Sequence, residues 1–305
     1  MKIKNVVFDF DGTCTQIPVI HEQFLKRFHE ELNKHIFALN TYTLEPNPNP
    51  VSLQEWEDAK DIVRKNSPKA GWTLAVTSAA PAAADPYILA HEAAKFILRN
   101  RRKGKAEVDL PFELHSISSA AHEAPWRNEA KEVIETLLNK KINVYFISNS
   151  GSAKITKLLK ELLGKDELPP NLKVQSDANK FRISELPLAD QQFSLPANAI
   201  ASYEALPVLH NVNACGRPVF LRRGEYFRSI CAVLQNDIDQ IKETVFCGDI
   251  WEMDLAMPHA LGGKIHLVKR ASPFDTYEYE LKAVMASGGQ FSDDLNALRS
   301  LELSN

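Results

Sequence analysis

The stretch that most restricts the fold is Ile3–Phe8, which after Asn5 is apolar without the polar alternation of a half-exposed strand. Such a strand is buried on both faces, as in a parallel sheet covered by helices on each side. The same texture returns at Ile142–Ile147 (INVYFI), Thr244–Cys247 (TVFC) and Lys264–Val268 (KIHLV). Four such runs predict one parallel sheet in an α/β protein. The first three end in small or acidic clusters, DFDGT, SNSGS and GDIWEMD. Ligands of open α/β sheets lie outside the carboxyl ends of the strands, so these three clusters are expected to meet at one site.

Amphipathic segments separate the runs. Arg127–Lys140 places Val133, Ile134, Leu137 and Leu138 at helical spacing behind Pro125, Ser152–Leu163 has Ser152 as its cap and Gly164 as its stop, and Tyr226–Ile241 forms a third. The first strand is followed by residues 16–124, far more than a usual strand-to-helix connection, which predicts an inserted domain. Its helical candidates are His21–Leu39, Ser52–Lys65 and Pro86–Arg101, with the proline-rich EPNPNPVS between the first two as a turn or short linker. Residues 1–15 and 125–305 then form the core, interrupted by an irregular excursion at about 165–217 rich in proline.

Composition excludes several function classes. With 305 residues, 44% hydrophobic and 25% charged, the chain can bury a sizeable core. A net charge of -3 and scattered Lys and Arg give no basic field for nucleic acid or an anionic membrane, so neither is an expected partner. The first residues lack the apolar core of a signal peptide, and no stretch of 18 apolar residues follows, which predicts a cytoplasmic protein. Cys14, Cys215, Cys231 and Cys247 have neither CxxC nor zinc-site spacing and read as reduced thiols.

The chemistry starts at Asp9 and Asp11, which alternate with Phe10 so that an extended backbone points both carboxylates to one side. Gly12 permits the turn that follows, and Thr13 offers a hydroxyl or a cap. Two acids this close repel, raising a pKa unless a cation intervenes. A divalent metal resolves the conflict, and one or two carboxylates completed by water and a substrate phosphate suit Mg²⁺.

VVFDFDGTCT resembles the first motif of the haloacid dehalogenase superfamily in its phosphatase form, FISNS is similar to the second, and FCGDIWEMD to the fourth. The resemblance implies a Rossmann-like core, a nucleophile at Asp9, a proton carrier at Asp11, and phosphoryl contacts from Gly12, Thr13, Ser148 and Asn149. It implies Mg²⁺ on Asp9, the main-chain carbonyl of Asp11 and Asp249, with Asp254 in support. It also implies that the insertion is a C1-type helical cap over a small phosphorylated substrate, with His21, Arg27, Trp56 and Trp72 as candidate contacts. A halide leaving group needs no proton, so the acid at Asp11 argues for a phosphatase over a dehalogenase. P-type ATPases of the superfamily would need membrane helices. A phosphomutase, which uses the same two aspartates, or another phosphoryl transferase of the superfamily stands as the alternative, with a noncatalytic binding or regulatory protein of the same fold as the second.

In the superfamily the third motif is a Lys or Arg near the helix before the fourth motif's strand. Arg223 is the expected cation, ahead of Arg222 and Arg217, because FLRRGEYF leads into the helix before Thr244; Lys180 in DANKF is an outside candidate.

Overall fold

The computed structural model describes residues 2–34, 49–67, 81–101, 110, 112–120, 123–186, 195–212 and 217–301. β1 (Asn5–Phe8), β2 (Asn143–Ile147), β6 (Thr244–Gly248) and β7 (Lys264–Val268) are the four expected strands. Two more, β3 (Leu172–Gln175) and β8 (Gln290–Ser292), complete a parallel sheet of order β3-β2-β1-β6-β7-β8. β1 lies between β2 and β6 in matched register, Val6 opposite Val144 and Val245, and Phe8 opposite Phe146 and Cys247.

The period-2 geometry of a strand divides its side chains between two cores. Val6, Phe8, Val144, Phe146, Val245 and Cys247 face a cluster built with α5 (Ala130–Asn139) and α6 (Ser152–Leu163). Val7, Tyr145, Ile147, Phe246, Ile265 and Leu267 face another, built with α7 (Ala197–Glu204), α8 (Gly224–Val233), α9 (Ala256–Ala260) and α10 (Glu278–Ala286). This double burial is why the strand sequences lack polar alternation. The chain is thus α/β with helices on both faces of a parallel sheet, as expected.

The insertion contains α1 (Ile17–Leu32), α2 (Leu53–Asn66), α3 (Pro86–Arg101) and α4 (Phe112–Ala120). Phe24, Phe28, Leu32, Trp56, Val63, Leu89, Ile97 and Leu114 pack into a third apolar cluster. The fourth helix was not legible in the sequence, and residues 35–39 of the first expected helix lie outside the described residues. In the excursion, α7 precedes a two-stranded antiparallel hairpin, β4 (Leu209–Val212) with β5 (Arg217–Phe220). No described helix is long and apolar enough to cross a membrane.

Several boundaries differ from expectation: α1 already begins at Ile17, four residues before His21, and α2 is displaced by one residue with Ser52 as its cap. α6 begins after Gly151 rather than with Ser152 as its cap, although it stops as expected on Gly164 at φ 63°. α5 starts only at Ala130. The helix expected over Tyr226–Ile241 breaks after Val233, because Gln235 and Asn236 adopt φ 55° and 61° and the chain resumes as a 3₁₀ turn at Ile238–Glu243. Left-handed backbone cannot continue a right-handed helix.

One buried histidine couples the sheet to pH. His266 on β7 meets Ser292 Oγ at 2.7 Å, and that hydroxyl donates to the Asp294 carbonyl at 2.5 Å. The Ser292 proton is therefore committed, so His266 Nε2–H must be the donor in its own bond. Burial pushes the ring pKa down to about 4, with Asp294 partly opposing. Because the folded-state value lies below the unfolded value of about 6.5, the contribution is complete above about pH 6.5 and is lost as pH falls toward 4. Urea melts at pH 7 and pH 4.5 should show His266→Gln losing less stability on acidification than the parent, by on the order of 2 kcal/mol. Equal losses in the two proteins would refute this account.

Candidate active site

β1, β2 and β6 end side by side, which brings DFDGT, SNSGS and GDIWEMD together at the carboxyl end of the sheet as expected. Asp9 and Asp249 follow β1 and β6 directly and are buried, as is Asp254. Gly248 is required where the acid loop folds back, since a Cβ there would stand 2.3 Å from Asp254 Cβ. Gly12, at φ +84°, is required for the same kind of reason: a Cβ would lie 2.4 Å from Asp249 Oδ2.

The cation at this site is Lys180, which corrects the expectation of Arg223 or Arg222. Lys180 Nζ donates to Asp9 Oδ1 at 2.5 Å and to Asp254 Oδ1 at 2.7 Å, and the residue is only 1% exposed. Arg223 points elsewhere and donates through Nη1 to the main-chain carbonyls of Lys180 and Met253. Arg222 donates to the carbonyls of Leu206 and Glu204, which pins the end of α7. Arg217 pairs with Glu252 through both terminal nitrogens, at 3.0 and 2.5 Å. Lys180 reaches the site because it follows β3, a strand adjacent to β2, in the short turn after Gln175. Recognising LKVQ as a strand would have marked SDANK as a fourth strand-end cluster.

The electrostatics are dominated by burial. Burial raises Asp9 to about 7, with Lys180 pulling the other way and Asp254 and Asp11 adding to the rise. Burial also raises Asp249 well above the usual carboxylate range, reinforced by Asp254 and Asp9. For Lys180, burial acts to lower the ammonium pKa, but Asp254 and Asp9 outweigh it and the net shift is upward. The ammonium therefore stays charged, and Asp9 and Asp254 share it.

The other side of Asp9 has less positive charge. Thr13 Oγ1 lies 3.0 Å from Asp9 Oδ2 and 3.2 Å from Asp249 Oδ1, yet it has one proton to give. Two facing carboxylate oxygens thus share one neutral donor. Ligand oxygens of Asp9, Asp249 and Asp254 all lie within 4.8 Å of one another. Hard oxygen donors, excess negative charge and a single shared hydroxyl fit a divalent cation between Asp9 and Asp249, with Asp254 already engaged by Lys180.

Asp11 is held from β2's side, where Ser150 Oγ donates to its Oδ2 at 2.5 Å. Ser150 was not among the expected residues, though it lies in SNSGS. Ser148 is buried and its hydroxyl accepts the Ser150 amide at 3.0 Å. Asn149 accepts the Lys180 main-chain N–H at 2.8 Å, which ties the lysine segment to β2.

The insertion approaches this end of the sheet. Ala84 and Ile88 pack against Ile250 and Met253 of the acid loop. A cavity of about 330 Å³ adjoins this contact at Ala84, lined also by Gly12, Asp249, Arg127, Arg270, Asp85 and Phe274, among others. Asp85 accepts the Ile88 amide at 2.7 Å, and burial, with Asp11 contributing, raises its pKa to about 7. Asp85 and Arg270 were not singled out in the sequence. Of the expected contacts, Trp56 is 2% exposed and stacks on Phe28 and His29, a packing role. Arg27 pairs with Glu31, His21 stands edge-on to Phe274, and Trp72 lies outside the described residues.

Among solved structures, the chain is similar to the protein YfnB from Bacillus subtilis, solved bound to magnesium, at 13% identity over 98% of this chain and 97% of that one, with a TM-score of 0.47. It is similar to a HAD phosphatase from Thermococcus onnurineus at 14% identity over 99% and 100% of the two chains, TM-score 0.47. It is also similar to a dehalogenase at 18% identity over 99% and 98%, TM-score 0.44. No curated protein matches the chain. The family model of a hydrolase, haloacid dehalogenase-like hydrolase, matches residues 3–189, from just before β1 past Lys180. With that match spanning more than half of its length, the chain belongs to the haloacid dehalogenase-like hydrolases.

Proposed function

We propose that the protein is a Mg²⁺-dependent phosphatase of small phosphomonoesters, working through an aspartyl-phosphate at Asp9. The observation that carries this reading is Asp9 itself, held by Lys180 on one oxygen and facing Asp249 and Thr13 with the other, with Asp11 two residues on. The main competing chemistry in this family is dehalogenation. A departing halide needs no proton, whereas a departing alkoxide does, and Asp11 supplies a group able to give one.

Asp9 attacks phosphorus as the bond to the ester oxygen breaks, and Asp11 gives its proton to that oxygen. Water then attacks the aspartyl-phosphate while Asp11 takes a proton from it; the bond between phosphorus and Asp9 breaks, releasing inorganic phosphate and restoring both aspartates. The Ser148 hydroxyl, which accepts the Ser150 amide, keeps its own proton for a phosphoryl oxygen. The N-terminus of α6, after Gly151, adds its positive end nearby. Lys180 keeps Asp9 in place and balances phosphoryl charge. Asp9, Asp249 and the Asp11 carbonyl are the residues to hold Mg²⁺, which supplies electrostatic stabilisation of the transferring group when bound. The cavity of about 330 Å³ beneath the inserted helices suits a small leaving group, with those helices acting as a C1-type cap.

Hydrolysis of p-nitrophenyl phosphate with Mg²⁺ tests the reading. Asp9→Asn, remaining folded by circular dichroism, should lose about 10³-fold or more in kcat; full activity in that variant would sink the proposal. Chelation should abolish turnover and added Mg²⁺ restore it, and undiminished turnover in excess chelator would remove the metal from the scheme.

The corrected cation has its own test. Lys180→Met leaves Asp9 and Asp254 without their shared ammonium, so it should cost about 3–5 kcal/mol of stability as well as activity. Arg222→Ala should retain activity within about twofold, because it loses the carbonyls of Leu206 and Glu204 and an ion pair with the exposed Glu185, none of them at the acid cluster. The reverse pattern, an inactive Arg222→Ala and an active Lys180→Met, would restore the arginine.

A further inference from the structure

Arg223 immediately precedes α8 and is 0% exposed. Its Nη1 donates to the main-chain carbonyls of Met253 at 2.6 Å and Lys180 at 3.2 Å. Among the described residues, Nε and Nη2 have no hydrogen-bond partner, and the guanidinium lies 5.6 Å from the centre of the Tyr226 ring. Burying a guanidinium with most of its donors unsatisfied is unfavourable, and an apolar side chain would fill the space at less cost. What an apolar side chain would lose is the bridge between the two carbonyls.

Those carbonyls belong to the two segments that must meet at the site. Lys180 lies in a turn in which Asp177 and Asn179 adopt φ 54° and 43°, a backbone that non-glycine residues hold only when its surroundings enforce it. Both main-chain polar groups of Lys180 are held from outside: Asn149 takes its N–H and Arg223 takes its carbonyl. Met253, the other carbonyl, immediately precedes Asp254, the second acceptor of the lysine ammonium. Tyr226, three residues after Arg223, donates to the Asp254 carbonyl at 2.7 Å, and its ring centre lies 5.7 Å from Lys180 Nζ. The start of α8 thus contacts both the lysine turn and the acid loop.

We infer that Arg223 is a positioning residue: by bridging the carbonyls of Lys180 and Met253, it fixes the separation of the two segments so that one ammonium reaches Asp9 and Asp254 together. It touches neither the acids nor the phosphoryl site. The activity part of its test rests on the phosphatase reading, whereas the exchange part does not.

Arg223→Met and Arg223→Lys test the inference through p-nitrophenyl phosphate kinetics with Mg²⁺ and amide hydrogen exchange of the full chain. Arg223→Met should lower kcat about 100-fold with KM within about threefold. Its amides at 178–182 and 250–254 should exchange faster, while those of β1 and β2 keep parental rates. Arg223→Lys keeps a charged donor near the carbonyls and should lose only about 10-fold in kcat. Parental kcat in Arg223→Met, faster exchange throughout β1 and β2, or a lysine variant no better than the methionine one would overturn the inference. If Arg223→Met does not fold, Arg223→Lys decides: local exchange with reduced kcat upholds the bridge, and parental behaviour in both refutes it. If the parent protein hydrolyses no phosphate ester, the phosphatase reading falls and the exchange pattern alone decides the role of Arg223.

Discussion

The site depends on one ammonium shared by two buried carboxylates. Lys180, Asp9 and Asp254 are 1%, 7% and 2% exposed, so none is well solvated by water. A buried charge group of this kind is a poor source of net stability, because desolvation offsets most of the Coulomb gain, but it is highly sensitive to the loss of a partner. Its value lies in geometry. Asp9 has one oxygen fixed by Lys180, which leaves the other directed at Thr13 and Asp249. The same ammonium pairs with Asp254 but not with Asp249, and so divides three crowded acids into a lysine-bound pair and a facing carboxylate.

The sheet was legible in the sequence because its central strands are buried on both faces. Nothing but a run such as VVF, YFI or VFC can occupy β1, β2 and β6 between two helical layers. The edge strands are less enclosed: β3 reads LKVQ with only Leu172 buried, and β8 reads QFS with none of its residues buried. Their sequences therefore carry polar residues that resemble loop. The cation was lost through the same weakness, since Lys180 is placed by β3. Helix periodicity gave no warning of the break at Gln235 and Asn236, because Ile238 and Ile241 remain buried on the far side of it and preserve an amphipathic pattern across the gap. The acids were legible because their residue types and their position after buried strands both pointed one way. Arginine in FLRRGEYF was misleading because sequence proximity to α8 says nothing about the direction of the side chain.

The inserted helices and the sheet layer are coupled through a loop that follows β7. Phe274 packs within the apolar cluster of the insertion, beside Phe24, Phe28 and Leu89. Arg270, at the start of that loop, donates to the Phe274 carbonyl at 2.9 Å and also contacts the Asp249 carbonyl. Nearby, Tyr277 OH meets Ser67 Oγ at 2.9 Å, at the end of α2. A single buried arginine therefore bonds both to the Asp249 carbonyl and to that of Phe274, whose ring packs in the apolar core of the insertion, so hydrogen bonding and apolar packing together link those helices to Asp249.

The arginines around the acid cluster that Lys180 enters are accounted for by the acid loop. Trp251–Leu255 forms a single π-helical turn, too short to satisfy its own backbone. Side chains hold much of the segment in addition: Arg270 on the Asp249 carbonyl, Asp254 on the Ile250 amide, Glu280 on the Trp251 amide, Arg223 on the Met253 carbonyl and Tyr226 on the Asp254 carbonyl. Glu252 is fixed by Arg217 and Tyr279. Three of these anchors are arginines because a guanidinium offers several donors in a rigid plane and can bridge segments that a lysine would join at only one point. In GDIWEMD the two aspartates lie in the acid cluster while the glutamate is bound by Arg217 and Tyr279, a division invisible in the residue types and set by which neighbours reach each carboxylate.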